Sequence, residues 1–136
     1  MDHLIVPGTI DSLETISEFV TRAADAAGFD EKASYRLHLA VDEIATNIIG
    51  HGYGDSETGG VLELWSEIDS DTLTISIEDT GESYDPSHHL RPEDLDMPPD
   101  QRREGGLGVY LALQSVDEFL YERMGDRNRH TLTMKR

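Results

Sequence analysis

"DEIATNIIGH", residues 42–51, is the stretch on which the reading of this chain turns. Leu37, Val41, Ile44 and Ile48 recur at helical spacing and form a core-facing stripe. Glu43 and Asn47 stand one turn apart beside that stripe, with His51 one turn further on. Asn is a poor helix former, and a purely solvated face is served equally well by Lys or Gln. Taken alone, a Glu and an Asn on a helix edge are ordinary solvated side chains. A carboxylate, an amide and an imidazole in register along a buried face raise the alternative that the helix carries a site.

Upstream, "HLIVPG" reads as a short strand stopped by Pro7 and Gly8. Asp11 and Glu14 have capping-box spacing, and Leu13, Ile16, Val20, Ala23, Ala24 and Ala27 follow a helical period up to a Gly28 cap. Asp30 is the expected cap of the second helix, which should run to about His51 and end in the glycine-rich "GHGYGDSETGG". Downstream, "VLELWSEI" and "TLTISIED" alternate as strands joined by "DSD" at 69–71. Leu62, Leu64 and Ile68 share one face of the first, and Leu73, Ile75, Ile77 and Asp79 share one face of the second. Asp79 thus ends an inward series, and its carboxylate should face the interior. Trp65 lies on the opposite face between Glu63 and Glu67, as cover for an apolar patch or as a dimer contact. From Gly81 to Glu104 the pattern dissolves into charges, histidines and four of the five prolines, too long for an ordinary connection and typical of a lid or a disordered segment. "GGLGVYLALQSVD" restarts a helix, and "EFLYERM" and "HTLTMK", joined by "GDRN", make a closing hairpin. No repeat or second domain is visible, so residues 1–136 read as one domain.

The 136 residues allow a single real core, with roughly two-thirds of the unfolded surface buried on folding. Eleven basic against 28 acidic residues give a net charge of −17, which argues against nucleic acid and anionic membrane surfaces as partners. The absence of cysteine excludes disulfides, thiolate catalysis and cysteine-bound zinc. No apolar run approaches the ~20 residues of a membrane helix, and "MDHLIVPGTID" lacks a signal peptide's features, so the expected location is the cytoplasm. His88 and His89, with His51 or His38, have no spacing that supports a metal site and read as part of a solvated lid.

Three pieces remain: Glu43 with Asn47 on a helix, Asp79 at an inward strand end, and "GGLG" opening a helix, where bare N–H groups and the positive helix end suit phosphate. Neither a Walker P-loop nor a Rossmann pattern is present. In this order the pieces resemble the Bergerat-fold ATPases, the superfamily of gyrase, histidine kinases, the heat-shock chaperone ATPase and mismatch-repair ATPases. Within it the chain resembles the small bacterial anti-sigma-factor serine/threonine kinases over essentially its whole length. "DEIATNIIGH" is similar to the N box, "EDTGESYDP" to the first glycine box, "EGGLGVYLA" to the second, and "YERMGDRNRHTLTMKR" to the subgroup's last hairpin. One departure stands out: Asp79-Thr80-Gly81-Glu82-Ser83 lacks the second glycine of Asp-x-Gly-x-Gly, although Tyr84-Asp85-Pro86 resembles a version found in the anti-sigma subgroup.

The resemblance implies an α/β two-layer sandwich, with helices on one face of a mixed, mostly antiparallel sheet and ATP between the helices and a lid at about 82–104. It implies that Asn47 ligates Mg²⁺, that Glu43 polarises the attacking hydroxyl or water, and that Asp79 accepts from the adenine amino group beside Gly81. Gly105, Gly106, Leu107 and Gly108 would wrap the phosphates, and Arg102 or Arg103 would neutralise charge on the transferred group. His51 matches the N box, but a helix-ending histidine satisfied by backbone fits equally well. The implied function is phosphorylation of a STAS-type anti-sigma antagonist, with sequestration of a sigma factor and a homodimeric state. A nucleotide-dependent binding switch that transfers no phosphate is the alternative, and Glu43 favours the kinase.

Overall fold

The computed structural model describes residues 1–52, 60–81 and 112–136, the side chains of 51 and 52 excepted. Strand β1 (Asp2–Pro7) leads through a 3-10 turn (Ile10–Ser12) into helices α1 (Leu13–Ala27) and α2 (Glu31–Asn47). Strands β2 (Val61–Ile68), β3 (Thr72–Asp79), β4 (Glu118–Met124) and β5 (Arg127–Lys135) follow. The sheet order is β1-β2-β3-β5-β4, and all four pairings are antiparallel, so the mixed character expected alongside the antiparallel majority is not seen among the described residues. The helices pack on one face, giving the expected two-layer arrangement. Among the described residues no helix is long and apolar enough to cross a membrane.

Hydrophobic periodicity explains the assembly. Ile16, Val20, Leu37, Val41 and Ile44 from the helices join Leu62, Leu64, Leu73, Ile75, Ile77 and Leu132 from the sheet in one buried cluster. Burial of each Leu or Ile side chain contributes roughly 1.5–3 kcal/mol, and the shared cluster fixes α2 against the strands. Ile68, expected on the inward face, is instead 37% exposed, because it sits at the hairpin end of β2, where Ser66 is the last buried residue.

The punctuation is mostly as the sequence predicts. Gly28 closes α1 with φ 79°, its N–H reaching the Ala24 and Asp25 carbonyls, a backbone state that a side chain would strain. Asp30 Oδ1 accepts from the Ala33 N–H at 2.8 Å. Asp69 Oδ1 accepts from the N–H groups of Asp71 and Thr72 at 2.8 and 2.7 Å, which close the β2–β3 turn and hold its carboxyl below the usual carboxylate range. The Asp11 capping box does not form. The additional 3-10 turn takes in Asp11 and makes Ser12 the N-cap, and the Ser12 hydroxyl donates back to the Pro7 carbonyl at 2.7 Å instead of capping the helix.

The closing hairpin differs from expectation in one consequential detail. Met124 pairs with Arg127, so the turn is only Gly125–Asp126, with Gly125 at φ 63°. Arg127 and Asn128, read as turn residues in "GDRN", belong to β5, and Asn128 lies directly opposite Asp79.

Candidate functional site

Strand alternation makes Asp79 the last inward position of β3, and the side chain is 3% exposed. Its Oδ1 accepts from the Gly81 N–H at 2.8 Å and from Asn128 Nδ2 at 3.0 Å. Its Oδ2 is fully buried and has no donor among the described residues. Around it the closing hairpin builds a polar frame. Asn128 Nδ2 and Arg123 Nη1 both donate to the Gly81 carbonyl, at 3.2 and 2.9 Å. Asn128 Oδ1 in turn accepts from the Tyr121 hydroxyl and from Arg123 Nη1.

A buried polar atom without a partner costs about 1–3 kcal/mol, and more when charged. The bare Oδ2 is therefore chemically directional: it accepts from an N–H donor and opposes a carbonyl oxygen. An exocyclic amino group of a nucleobase meets that requirement.

The second cluster lies at the end of α2. Asn47 is 7% exposed, further inside than the helix-edge position its spacing suggested, and Glu43 is half-buried one turn before it. Asn47 Nδ2 donates to the Glu43 carbonyl at 2.8 Å. With the amide nitrogen used in this way, Oδ1 is the hard oxygen that Asn47 offers to a cation such as Mg²⁺. The α-helix does not continue to His51 as expected. It stops at Asn47, and residues Ile48–Gly52 form a π-helical turn whose buried Ile48 and Ile49 complete the core. His51 is therefore outside the α-helical register of Glu43 and Asn47. Wide turns of this kind occur mostly as single interruptions of α-helices, frequently at functional sites.

The fold thus links Asp79 to Gly81 by a direct hydrogen bond and Asn47 to the Glu43 backbone by another. The His51 side chain, Arg102, Arg103, Gly105, Gly106, Leu107, Gly108 and the lid at about 82–104 lie outside the described residues. Asn128, Tyr121 and Arg123 were not among the candidates from sequence. A signal was present for the first: counting inward from Met134 through Leu132 and His130 at period two reaches Asn128, a short polar side chain on a buried face.

On the outer sheet face, Trp65 is half-buried and stacks on His3 with ring centroids 4.8 Å apart, so part of its apolar surface is covered within the chain itself.

Comparison with known proteins identifies the family and the fold. Residues 6–136 match the family model described as the histidine kinase-like ATPase domain. The chain is 33% identical over 116 residues to the serine-protein kinase RsbW of Staphylococcus aureus (strain JH9), covering 83% of this chain and 73% of that protein. Among solved structures, the RsbU and RsbW domains of a Mycobacterium tuberculosis protein superpose with TM-score 0.63 at 18% identity, covering 100% of this chain and 33% of that one. The histidine kinase domain of a blue-light activated kinase from Erythrobacter litoralis gives TM-score 0.55 at 21% identity, with 95% of this chain and 61% of that one covered. The chain spans about a third and about three-fifths of these two structures, whose likeness concerns the fold. With its family-model match spanning nearly the whole sequence and RsbW as a relative, the chain belongs to the histidine kinase-like ATPase family, in the branch of the bacterial anti-sigma-factor serine/threonine protein kinases.

Proposed function

We propose that this chain is an ATP-dependent serine/threonine protein kinase that phosphorylates a STAS-type anti-sigma antagonist, sequesters a sigma factor, and works as a homodimer. The observation that carries the nucleotide assignment is the buried Oδ2 of Asp79, which has no donor among the described residues and suits the adenine amino group. Gly81, hydrogen-bonded to the same carboxylate, forms the adjoining wall.

Asn47 Oδ1 is the oxygen this chain offers to Mg²⁺, which when bound with ATP supplies positive charge against the phosphates. Glu43, on the preceding turn, takes the proton of the attacking hydroxyl. The partner's hydroxyl oxygen bonds to the γ-phosphorus as the bond to the ADP oxygen breaks, and ADP leaves with that electron pair. Arg102 or Arg103 offsets the charge that develops on the transferred group, and the Gly105–Gly108 segment supplies backbone N–H groups to the phosphates.

Single-turnover phosphorylation of a purified STAS-type partner, beside an ATP-binding curve, tests this division of labour. Glu43→Ala should keep ATP affinity and slow transfer by about 10²-fold or more, the usual scale for a positioned base. Asn47→Ala should damage both Mg-ATP affinity and turnover. Absence of transfer by the unaltered protein, with Glu43→Ala still releasing partner in response to nucleotide, would establish the binding switch in place of the kinase.

A further inference from the structure

We propose that Asn128 is the positioning residue that aims Asp79, and that through this aim it sets the preference for adenine over guanine. The proposal rests on the assignment of Asp79 to the base.

A carboxylate turns about its last torsion through a broad, nearly two-fold profile, so its aim must come from outside the residue. In Asp79 the aim comes from two donors that converge on Oδ1, the Gly81 N–H at 2.8 Å and Asn128 Nδ2 at 3.0 Å. With Oδ1 held from both sides, the direction of Oδ2 is fixed. The first donor belongs to the backbone that follows β3. The second comes from a neighbouring strand and is itself rigid, because Asn128 is 1% exposed and faces Asp79 directly in the β3–β5 register.

The orientation of the Asn128 amide is determined by its surroundings. Its oxygen receives the Tyr121 hydroxyl and Arg123 Nη1, both of which are donors, so its nitrogen must face Asp79. The same nitrogen also donates to the Gly81 carbonyl at 3.2 Å, and Arg123 reinforces that contact at 2.9 Å. One amide therefore spans the carboxylate and the backbone beside it. The hairpin β4–β5, remote in sequence from Asp79, thereby determines where the acceptor points.

The test is ATP and GTP binding, measured by calorimetry on the full chain together with thermal unfolding. Asn128→Leu keeps the branched heavy-atom shape and removes the donor; it should weaken ATP by roughly tenfold and lower the ATP-to-GTP affinity ratio by a similar factor. Asn128→Asp sets a second carboxylate 3.0 Å from the first and should weaken ATP further, by about 10²-fold. Tyr121→Phe removes only the hydroxyl that orients the amide and should lower the ratio by about two- to threefold. A purely structural Asn128 would weaken ATP and GTP together, and an unchanged ratio in Asn128→Leu overturns the proposal. Should that variant fail to fold, an unchanged ratio in Tyr121→Phe overturns it. Asp79→Asn separates this idea from the one beneath it. If Asp79→Asn leaves the ratio intact, the adenine assignment itself fails; if it abolishes the ratio while the Asn128 and Tyr121 variants do not, only the positioning role fails.

Discussion

Glu78 and Asp79 are neighbours in the chain, both almost excluded from solvent at 4% and 3% exposure, and strand alternation points them to opposite faces of the sheet. On the outer face Glu78 is fully matched. Its Oε1 accepts from Arg127 Nε at 2.8 Å, and its Oε2 accepts from Arg129 Nε at 2.9 Å and lies 2.8 Å from Arg129 Nη2. Arg127 reaches on to Glu63 at 2.8 Å, whose other oxygen lies 3.0 Å from His3 Nε2. On the inner face Asp79 has one oxygen doubly satisfied and the other without a donor among the described residues. Burial of a carboxylate therefore does not by itself mark a site. A carboxylate whose two oxygens both meet guanidinium groups belongs to the scaffold, whereas one left half-matched among the described residues is a candidate to meet a ligand.

Substitution at the two positions should divide binding from stability. The largest effect is expected for Asp79→Asn, which replaces the acceptor-only group by one that also donates. It should weaken ATP by roughly tenfold to a hundredfold, and the unaltered chain should prefer ATP to GTP by a similar margin. Titration of each nucleotide measures both, and equal affinities in the unaltered chain would remove Asp79 from the base site.

Glu78→Gln should leave ATP affinity unchanged and lower unfolding stability by about 1–2 kcal/mol, since both partner arginines remain more than a third exposed and are partly screened by water. Chemical denaturation reads the loss. An affinity change in this variant would erase the distinction between the two faces.

The smallest effect is expected at Glu63, as a pH dependence. Hydrogen bonds from Arg127, and then from His3, hold its carboxyl below the usual range. A folded-state value below the unfolded one means that the stabilisation is complete above about pH 4.3, the ordinary value for Glu, and is lost as pH falls through the lower folded value. Glu63→Gln should accordingly melt below the unaltered chain at pH 7, with the gap closing as pH falls below about 4. A constant gap across that range would detach Glu63 from the network.

Much of this was legible in the sequence, and for a common reason. The elements that were read correctly depend on local rules: the helical period of α1 and α2, the Gly28 and Asp30 caps, the "DSD" turn, and the period-two alternation that turned Asp79 inward. Each needs only neighbours within a few residues. In the misread details a competing local backbone geometry displaced the one that the spacing suggested. Capping-box spacing at Asp11 could not reveal that a 3-10 turn would move the helix start, and the apolar run through Ile48 concealed the change to a π-helical turn after Asn47.

The same division runs through the candidate site. By itself the sequence determined that Glu43 and Asn47 share a helix and that Asp79 faces a core, because periodicity is a property of the chain. Only the tertiary structure decided that Asn128 stands opposite Asp79. Only it decided that Tyr121 and Arg123 turn the Asn128 amide, and that one carboxylate oxygen is left without a donor among the described residues. Those facts depend on the register between strands that are 48 residues apart at Asp79 and Arg127, and a hydrogen bond forms only where such register brings donor and acceptor within about 3 Å.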